Sequence, residues 1–234
     1  MAERKALIVN LLSVPLTKDK QSLLLSQFQL YAALVNYTIK LIIKKQIILQ
    51  SKALETLRDS FEKRFFALAT SSDGSETTSL VNARVVFESK FDSPTVEKHR
   101  QASASKQVEQ NIGPVDWFVD RYFRDVVRTA LSEIARHRRM AATVRSLRDK
   151  SPFFKPGRMV LSAPITGIGE TSCVVLAVHG EEIPVPFDKR SRGREAVILT
   201  ALAAGQQRYS RVRLKWHKEG YLDIDIRVEN PTLR

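Results

Sequence analysis

The chain has 234 residues, 43% of them hydrophobic, and 38 Lys and Arg stand against 25 Asp and Glu, a net charge of +13. That size suits one large globular domain or two small ones, and that charge attracts polyanions: nucleic acid first, an anionic membrane surface second. One cysteine, Cys173, excludes an internal disulfide and a four-cysteine zinc site, and no apolar run reaches the ~20 residues of a membrane helix.

At the N-terminus, Arg4 and Lys5 precede the apolar stretch Ala6 to Leu16. Asn10 and Ser13 interrupt it and no small-residue cleavage site follows, so it is no signal peptide. Leu7, Val9 and Leu11 alternate with Ile8, Asn10 and Leu12, which predicts a strand. From about Lys18 to Leu49 the apolar residues Leu24, Phe28, Tyr31, Val35, Ile39 and Ile42 recur at steps of three and four, which predicts a helix with one core face. Ala53 to Ala69 repeats the pattern. Ser71 to Thr78 reads as a loop, and Asp92 to Asn111 as a weak helix or connector.

The next helix is predicted from Pro114 to about Arg148. At a hundred degrees per residue, Val119, Phe123, Val126, Ala130, Ile134, His137, Ala141 and Val144 share one side. Arg121, Arg124, Arg128 and Arg139 lie opposite, over roughly 27 Å. Pro152 then stops the helical half, and residues 151 to 230 read as β. Strands are predicted at Arg158–Ala163, Cys173–His179 and Glu182–Phe187, with a turn at Gly167-Ile168-Gly169. Cys173, beside Val174, Val175 and Leu176, reads as a small buried core residue of a cytosolic chain. A short helix spans Arg194–Ala204, with Gly205 as its stop. A hairpin, Arg208–His217 and Tyr221–Glu229, closes around Lys218-Glu219-Gly220.

Arginine dominates the basic residues. Residues 121 to 158 hold eleven cations (Arg121, Arg124, Arg128, Arg136, Arg138, Arg139, Arg145, Arg148, Lys150, Lys155 and Arg158) and three acids, a surplus of eight, and nine of the eleven are arginine. The planar guanidinium pairs with phosphates through two parallel hydrogen bonds and stacks on bases, as lysine does not. Asp125 lies one turn from Arg121 and Arg128 and is placed to occupy one of them. Lys189, Arg190, Arg192 and Arg194 crowd a predicted loop beside Gly193, suited to a phosphate backbone. In the hairpin, a loop ending at Gly220 puts Lys215 opposite Asp223 and Arg213 opposite Asp225, which discounts both cations as ligands. The same register puts Arg211 opposite Arg227, a like-charge pair unfavourable without an anion nearby.

Enzymatic signatures fail. There is no G-x-x-x-x-G-K-[ST] loop, Gly167-Ile168-Gly169 lacks a third glycine, and His99, His179 and His217 have no carboxylate or cysteine at ligand spacing. His137, on the apolar side of its helix, reads as a core or boundary histidine. No cofactor and no metal are expected.

Leu16-Thr17-Lys18-Asp19-Lys20-Gln21 leading into Tyr31-Ala32-Ala33-Leu34-Val35-Asn36-Tyr37, then Ser151 to Leu161, then Glu182-Ile183-Pro184-Val185-Pro186-Phe187, then Gly220-Tyr221-Leu222-Asp223-Ile224, follow one another in an order that resembles the N-terminal half of TnpB, the transposon-encoded RNA-guided nuclease, and of its type V CRISPR relatives. The resemblance implies an α+β fold: a wedge-like antiparallel β-barrel from residues 1–15 and 151–230, with a helical recognition-like domain, 16–150, inserted as a bundle. It implies a prokaryotic, cytoplasmic protein that binds guide RNA and target DNA. Arg121 to Arg148, with Tyr37 and Lys40, would belong to the recognition helices; Lys155, Arg158 and the 189–194 segment would belong to the wedge. The family's RuvC-like half, with three acidic metal ligands, and its cysteine-pair zinc motif have no counterpart in the 234 residues. The expectation is therefore a binding module without nuclease activity of its own, with a RuvC-like chain or a second copy of itself as possible partner. Two alternatives stay open: a subunit that mainly binds a catalytic partner, and an RNA-independent DNA-binding repressor.

Overall fold

The computed structural model describes residues 7–44, 64, 114–163, 166–169, 172–178 and 181–229. Its elements, in chain order, are β1 (Leu7–Leu12), α1 (Lys18–Lys44), α2 (Pro114–Thr143), a 3-10 turn (Arg145–Leu147), β2 (Arg158–Ser162), β3 (Thr166–Gly169), β4 (Cys173–Val178), β5 (Glu181–Pro186), α3 (Lys189–Arg194), α4 (Ala196–Ala203), β6 (Arg208–Trp216) and β7 (Leu222–Glu229). The expected helix at 53–69, the loop at 71–78 and the connector at 92–111 lie outside the described residues, apart from Arg64, which is helical.

The alternation in β1 works as a strand should: Val9 and Leu11 are buried, while Ile8, Asn10 and Leu12 are exposed. β1 pairs with β7, β7 with β6 and β6 with β2, all antiparallel, in a four-stranded sheet of order β1-β7-β6-β2. The hairpin register matches the one expected from the Gly220 loop, with Trp216 opposite Leu222, Lys215 opposite Asp223 and Arg211 opposite Arg227. Gly220 has φ +83°, the left-handed conformation that ends such a loop, and its amide carbonyl accepts from Leu16 N at 2.9 Å, tying the hairpin to the start of α1.

β3, β4 and β5 form a second antiparallel sheet. The predicted turn at Gly167-Ile168-Gly169 is instead part of β3, because its backbone pairs with Cys173 to Leu176 and Ile168 packs on the core. Cys173 is half-buried rather than buried, being at the start of β4. The two sheets meet at one corner, where Ser13 bridges Phe187, Val14 N donates to Pro186 O at 3.1 Å and Asp188 N donates to Leu12 O at 2.7 Å. The fold is therefore α+β with antiparallel sheets; among the described residues the strands form two sheets, not a closed barrel.

The helices share the strands' core. Tyr31 of α1 is fully buried; its hydroxyl sits 2.7 Å from Thr129 Oγ1 of α2 and donates to Val160 O of β2 at 3.0 Å, and its ring meets Tyr122 and Phe154 edge-on. Asn36 accepts from Phe154 N at 2.8 Å and donates to Phe154 O at 2.9 Å, which pins the segment between α2 and β2 against α1.

α2 departs from expectation at its end. It stops at Thr143, not near Arg148, and Val144 is extended (φ −103°, ψ 103°) and exposed rather than on a buried face. From Ala135 onward nearly every residue is exposed or half-buried, so no core contact offsets the low helix propensity of a β-branched Thr-Val pair. The side chain of Arg148 folds back and donates through Nε to Ala141 O at 3.3 Å, serving a terminal helix carbonyl. The 189–194 segment, expected as a loop, is the helix α3. Asp188 caps it, accepting from Arg190 N at 3.0 Å and Ser191 N at 3.2 Å, and buried Ser191 Oγ accepts from Leu12 N at 3.2 Å.

Candidate nucleic-acid interface

The two faces of the four-stranded sheet differ in kind. Every second residue of β1, β7, β6 and β2 points away from the core, and the strand registers set them in three rows. Ile8, Arg227, Arg211 and Ser162 make the first row, Asn10, Asp225, Arg213 and Val160 the second, and Leu12, Asp223, Lys215 and Arg158 the third. Rows on one face of a strand are ~7 Å apart, two residues at 3.4 Å each.

In the second row Arg213 and Asp225 balance, and in the third Asp223 answers Lys215 while Arg158 turns to Glu133 of α2. Arg213 Nε donates to Asp225 Oδ2 at 2.6 Å and Lys215 Nζ to Asp223 Oδ2 at 3.0 Å. His217 Nε2 lies 2.8 Å from the same Asp223 oxygen and its ring stacks on Tyr221 at 4.4 Å. Partial burial opposes the charge on Asp223, but hydrogen bonds from His217 and Lys215 prevail and hold its carboxyl below the usual range.

The first row has no acid. Burial, and then the charges of Arg227 and Arg128, push the Arg211 guanidinium below its ordinary pKa. Arg128 comes from α2, whose face packs on β2. There Asp125 is buried and its Oδ2 accepts from Ser162 N at 2.7 Å and Ser162 Oγ at 2.9 Å. Arg128 Nη1 lies 4.0 Å from the other oxygen, and Arg121 is close enough for its charge to act on the same carboxyl. Three arginines from two elements, Arg121 and Arg128 of α2 and Arg211 of β6, thus act on or with one carboxylate. The expectation that Asp125 would occupy a neighbouring arginine holds only weakly, because its main partner is Ser162 across the helix–sheet junction.

Burial raises Asp125 to about 6, against the hydrogen bonds from Ser162 and the charges of Arg128 and Arg121. A raised carboxyl stabilises the fold in its neutral form. That contribution is complete below the unfolded value of ~3.9 and is lost as the pH rises through about 6. Urea unfolding between pH 4 and pH 7 is expected to show the native chain losing ~2 to 3 kcal/mol relative to Asp125→Asn. Parallel pH profiles for the two proteins would show that Asp125 ionises freely.

The remaining predicted residues fall into other groups. Arg136 and Arg158 converge on Glu133, at 2.6 Å and 3.5 Å, and Arg158 also stacks over Phe154 at 5.1 Å. Arg138, Arg139 and Arg145 are exposed on the projecting end of α2 and the 3-10 turn, with Arg148 folded onto the helix end. Arg124 is exposed on α2. On α1, Lys40 is exposed and half-buried Tyr37 has the Arg64 guanidinium 5.9 Å over its ring. Lys155 is exposed beside Phe153; Lys189, Arg190 and Arg194 are exposed on α3, where Arg192 is half-buried.

Two hollows cut the outer face. One, of about 270 Å³, is lined by Ile8, Val160, Arg211, Arg213, Asp225 and Arg227. The other, of about 520 Å³, adjoins it through Arg213 and Asp225 and takes in Asn10, Leu12, Lys215, Arg158 and Arg194. Arg213 and Lys215, discounted on sequence, are salt-bridged as expected yet line these hollows. Among the described residues no three His, Cys, Asp or Glu side chains gather as metal ligands, and no helix is long and apolar enough to cross a membrane. Comparison with protein-family models finds no match to this chain, and comparison with curated proteins finds none.

Proposed function

We propose that the chain is a nucleic-acid-binding module that holds guide RNA and target DNA in an RNA-guided DNA-targeting complex and has no nuclease activity of its own. In this reading residues 1–15 and 151–230 form a wedge-like domain built on the two antiparallel sheets, and residues 16–150 are the inserted recognition domain of a prokaryotic, cytoplasmic protein. The observation that carries the reading is the cross-strand pair Arg211 and Arg227, joined by Arg128 and Arg121 at the edge of α2. Like charges directly opposite on a ladder are destabilising, and a phosphate between them turns repulsion into charge-assisted hydrogen bonding. Arginine in place of lysine at these positions suits the two-oxygen geometry of phosphate. The surrounding sheet gives the guanidiniums a rigid floor.

Two exposed apolar side chains, Phe153 at 63% and Val197 at 68%, also favour a protein partner, for which a RuvC-like chain supplying the metal ligands is the proposed identity. The experiment is to express the protein with its native flanking DNA, purify it and sequence the RNA that accompanies it. A discrete, structured RNA is expected. Protein that emerges free of RNA and binds duplex DNA tightly would instead make it a repressor, and an acidic chain copurifying without RNA would make it an interaction subunit.

A further inference from the structure

We infer that the 520 Å³ hollow on the outer face of the four-stranded sheet is a site for a terminal phosphomonoester carried on a nucleotide. The inference rests on the reading that this face takes nucleic acid, and names the part of the ligand that the hollow receives. Its volume lies in the range of small-molecule sites, ~300–1,000 Å³, and suits a single nucleotide, where a duplex needs an extended surface. Its charged lining is Arg158, Arg194, Arg213 and Lys215 against Asp223 and Asp225, four cations less two acids, a surplus of two. A diester inside a strand carries one negative charge, whereas a monoester with its second pKa near ~6 carries between one and two at neutral pH. The surplus therefore matches a chain end better than a chain interior.

Three of the four cations are held in advance. Asp225 fixes Arg213, Asp223 fixes Lys215, and Glu133 together with the Phe154 ring fixes Arg158. Groups already positioned lose little freedom when the ligand arrives. Arg194, at the end of α3, is exposed and has no ion-pair partner among the described residues, so its guanidinium has its hydrogen-bond donors available for phosphate. Asn10, Asp223 and Asp225 add acceptors for sugar hydroxyls or base amino groups.

The test titrates the full chain with one short single-stranded RNA bearing a 5′-phosphate, a 3′-phosphate or hydroxyls at both ends, and separately with adenosine monophosphate. One phosphorylated form is expected to bind at least tenfold tighter than the hydroxyl-ended RNA, and Arg194→Ala is expected to remove most of that preference. Arg194 is exposed on a six-residue helix, so its loss leaves the core untouched. If adenosine monophosphate alone binds with the same sensitivity to Arg194→Ala, the ligand is a free nucleotide; if only the strand does, it is a strand end. Equal affinity for all three RNAs without adenosine monophosphate binding overturns the inference, as does a preference that Arg194→Ala leaves in place. Failure of every RNA to bind would remove the interface reading instead, and adenosine monophosphate would then decide the hollow by itself, its binding sustaining the inference and its failure to bind overturning it.

Discussion

Replacing Arg211 and Arg227 together by alanine is expected to lower affinity for single-stranded RNA by about 100-fold at low salt. Each guanidinium supplies charge-assisted hydrogen bonds worth ~1.5 kcal/mol or more to a phosphate, and two together give ~3 kcal/mol, or two decades of Kd. The slope of log affinity against log salt should fall by roughly 1.4, since each lost phosphate contact on a single strand removes ~0.7. Stability should move the other way. The two arginines stand opposite each other across β6 and β7 with no acid in their row, so their removal relieves repulsion of up to ~1 kcal/mol. Weaker binding together with equal or greater resistance to urea is the signature of a binding pair. Lower stability with unchanged affinity would make the pair structural. Arg136, which Glu133 holds at 2.6 Å, should show far less effect on binding when changed to alanine.

The largest loss of stability is expected from Tyr31→Ala, ~3 to 5 kcal/mol by urea unfolding. Tyr31 is the point where α1, α2 and β2 meet, fully buried and packed on Tyr122 and Phe154. Truncation opens a cavity and strands Thr129 Oγ1 and Val160 O without their hydroxyl partner. Tyr31→Phe isolates the polar part and should cost ~1 to 3 kcal/mol. Because Thr129 follows Arg128, the same change should loosen the seating of α2 on β2 and weaken RNA binding near the transition. Full stability in Tyr31→Ala would mean that the three elements are held elsewhere.

What the sequence disclosed depended on how local the cause was. The hairpin was legible residue by residue, because a three-residue loop ending in Gly220 fixes the register and alternation then assigns both faces. Arg211 opposite Arg227 followed from that alone. The stripe from Leu24 to Ile39 and the one from Phe123 to Ile134 were likewise legible from period, and both are buried. Their junction was not. Nothing local relates Asp125 to Ser162, 37 residues away, or sends Arg158 to the same carboxylate as Arg136. The cap that makes residues 189–194 helical was present at Asp188, but charge and Gly193 masked it. The sequence carries α2 too far because its apolar stripe runs on through Ala141 and Val144 with no stop before Pro152, whereas contact with the core ends at Ile134.

Ultraviolet cross-linking of bound RNA to the full chain, followed by peptide mapping, tests the location of the interface most directly. Cross-links are predicted on residues 121–128 of α2 and on the outward positions of β6 and β7. Cross-links confined to α1 or to the projecting end of α2, with β6 and β7 unmarked, would contradict it.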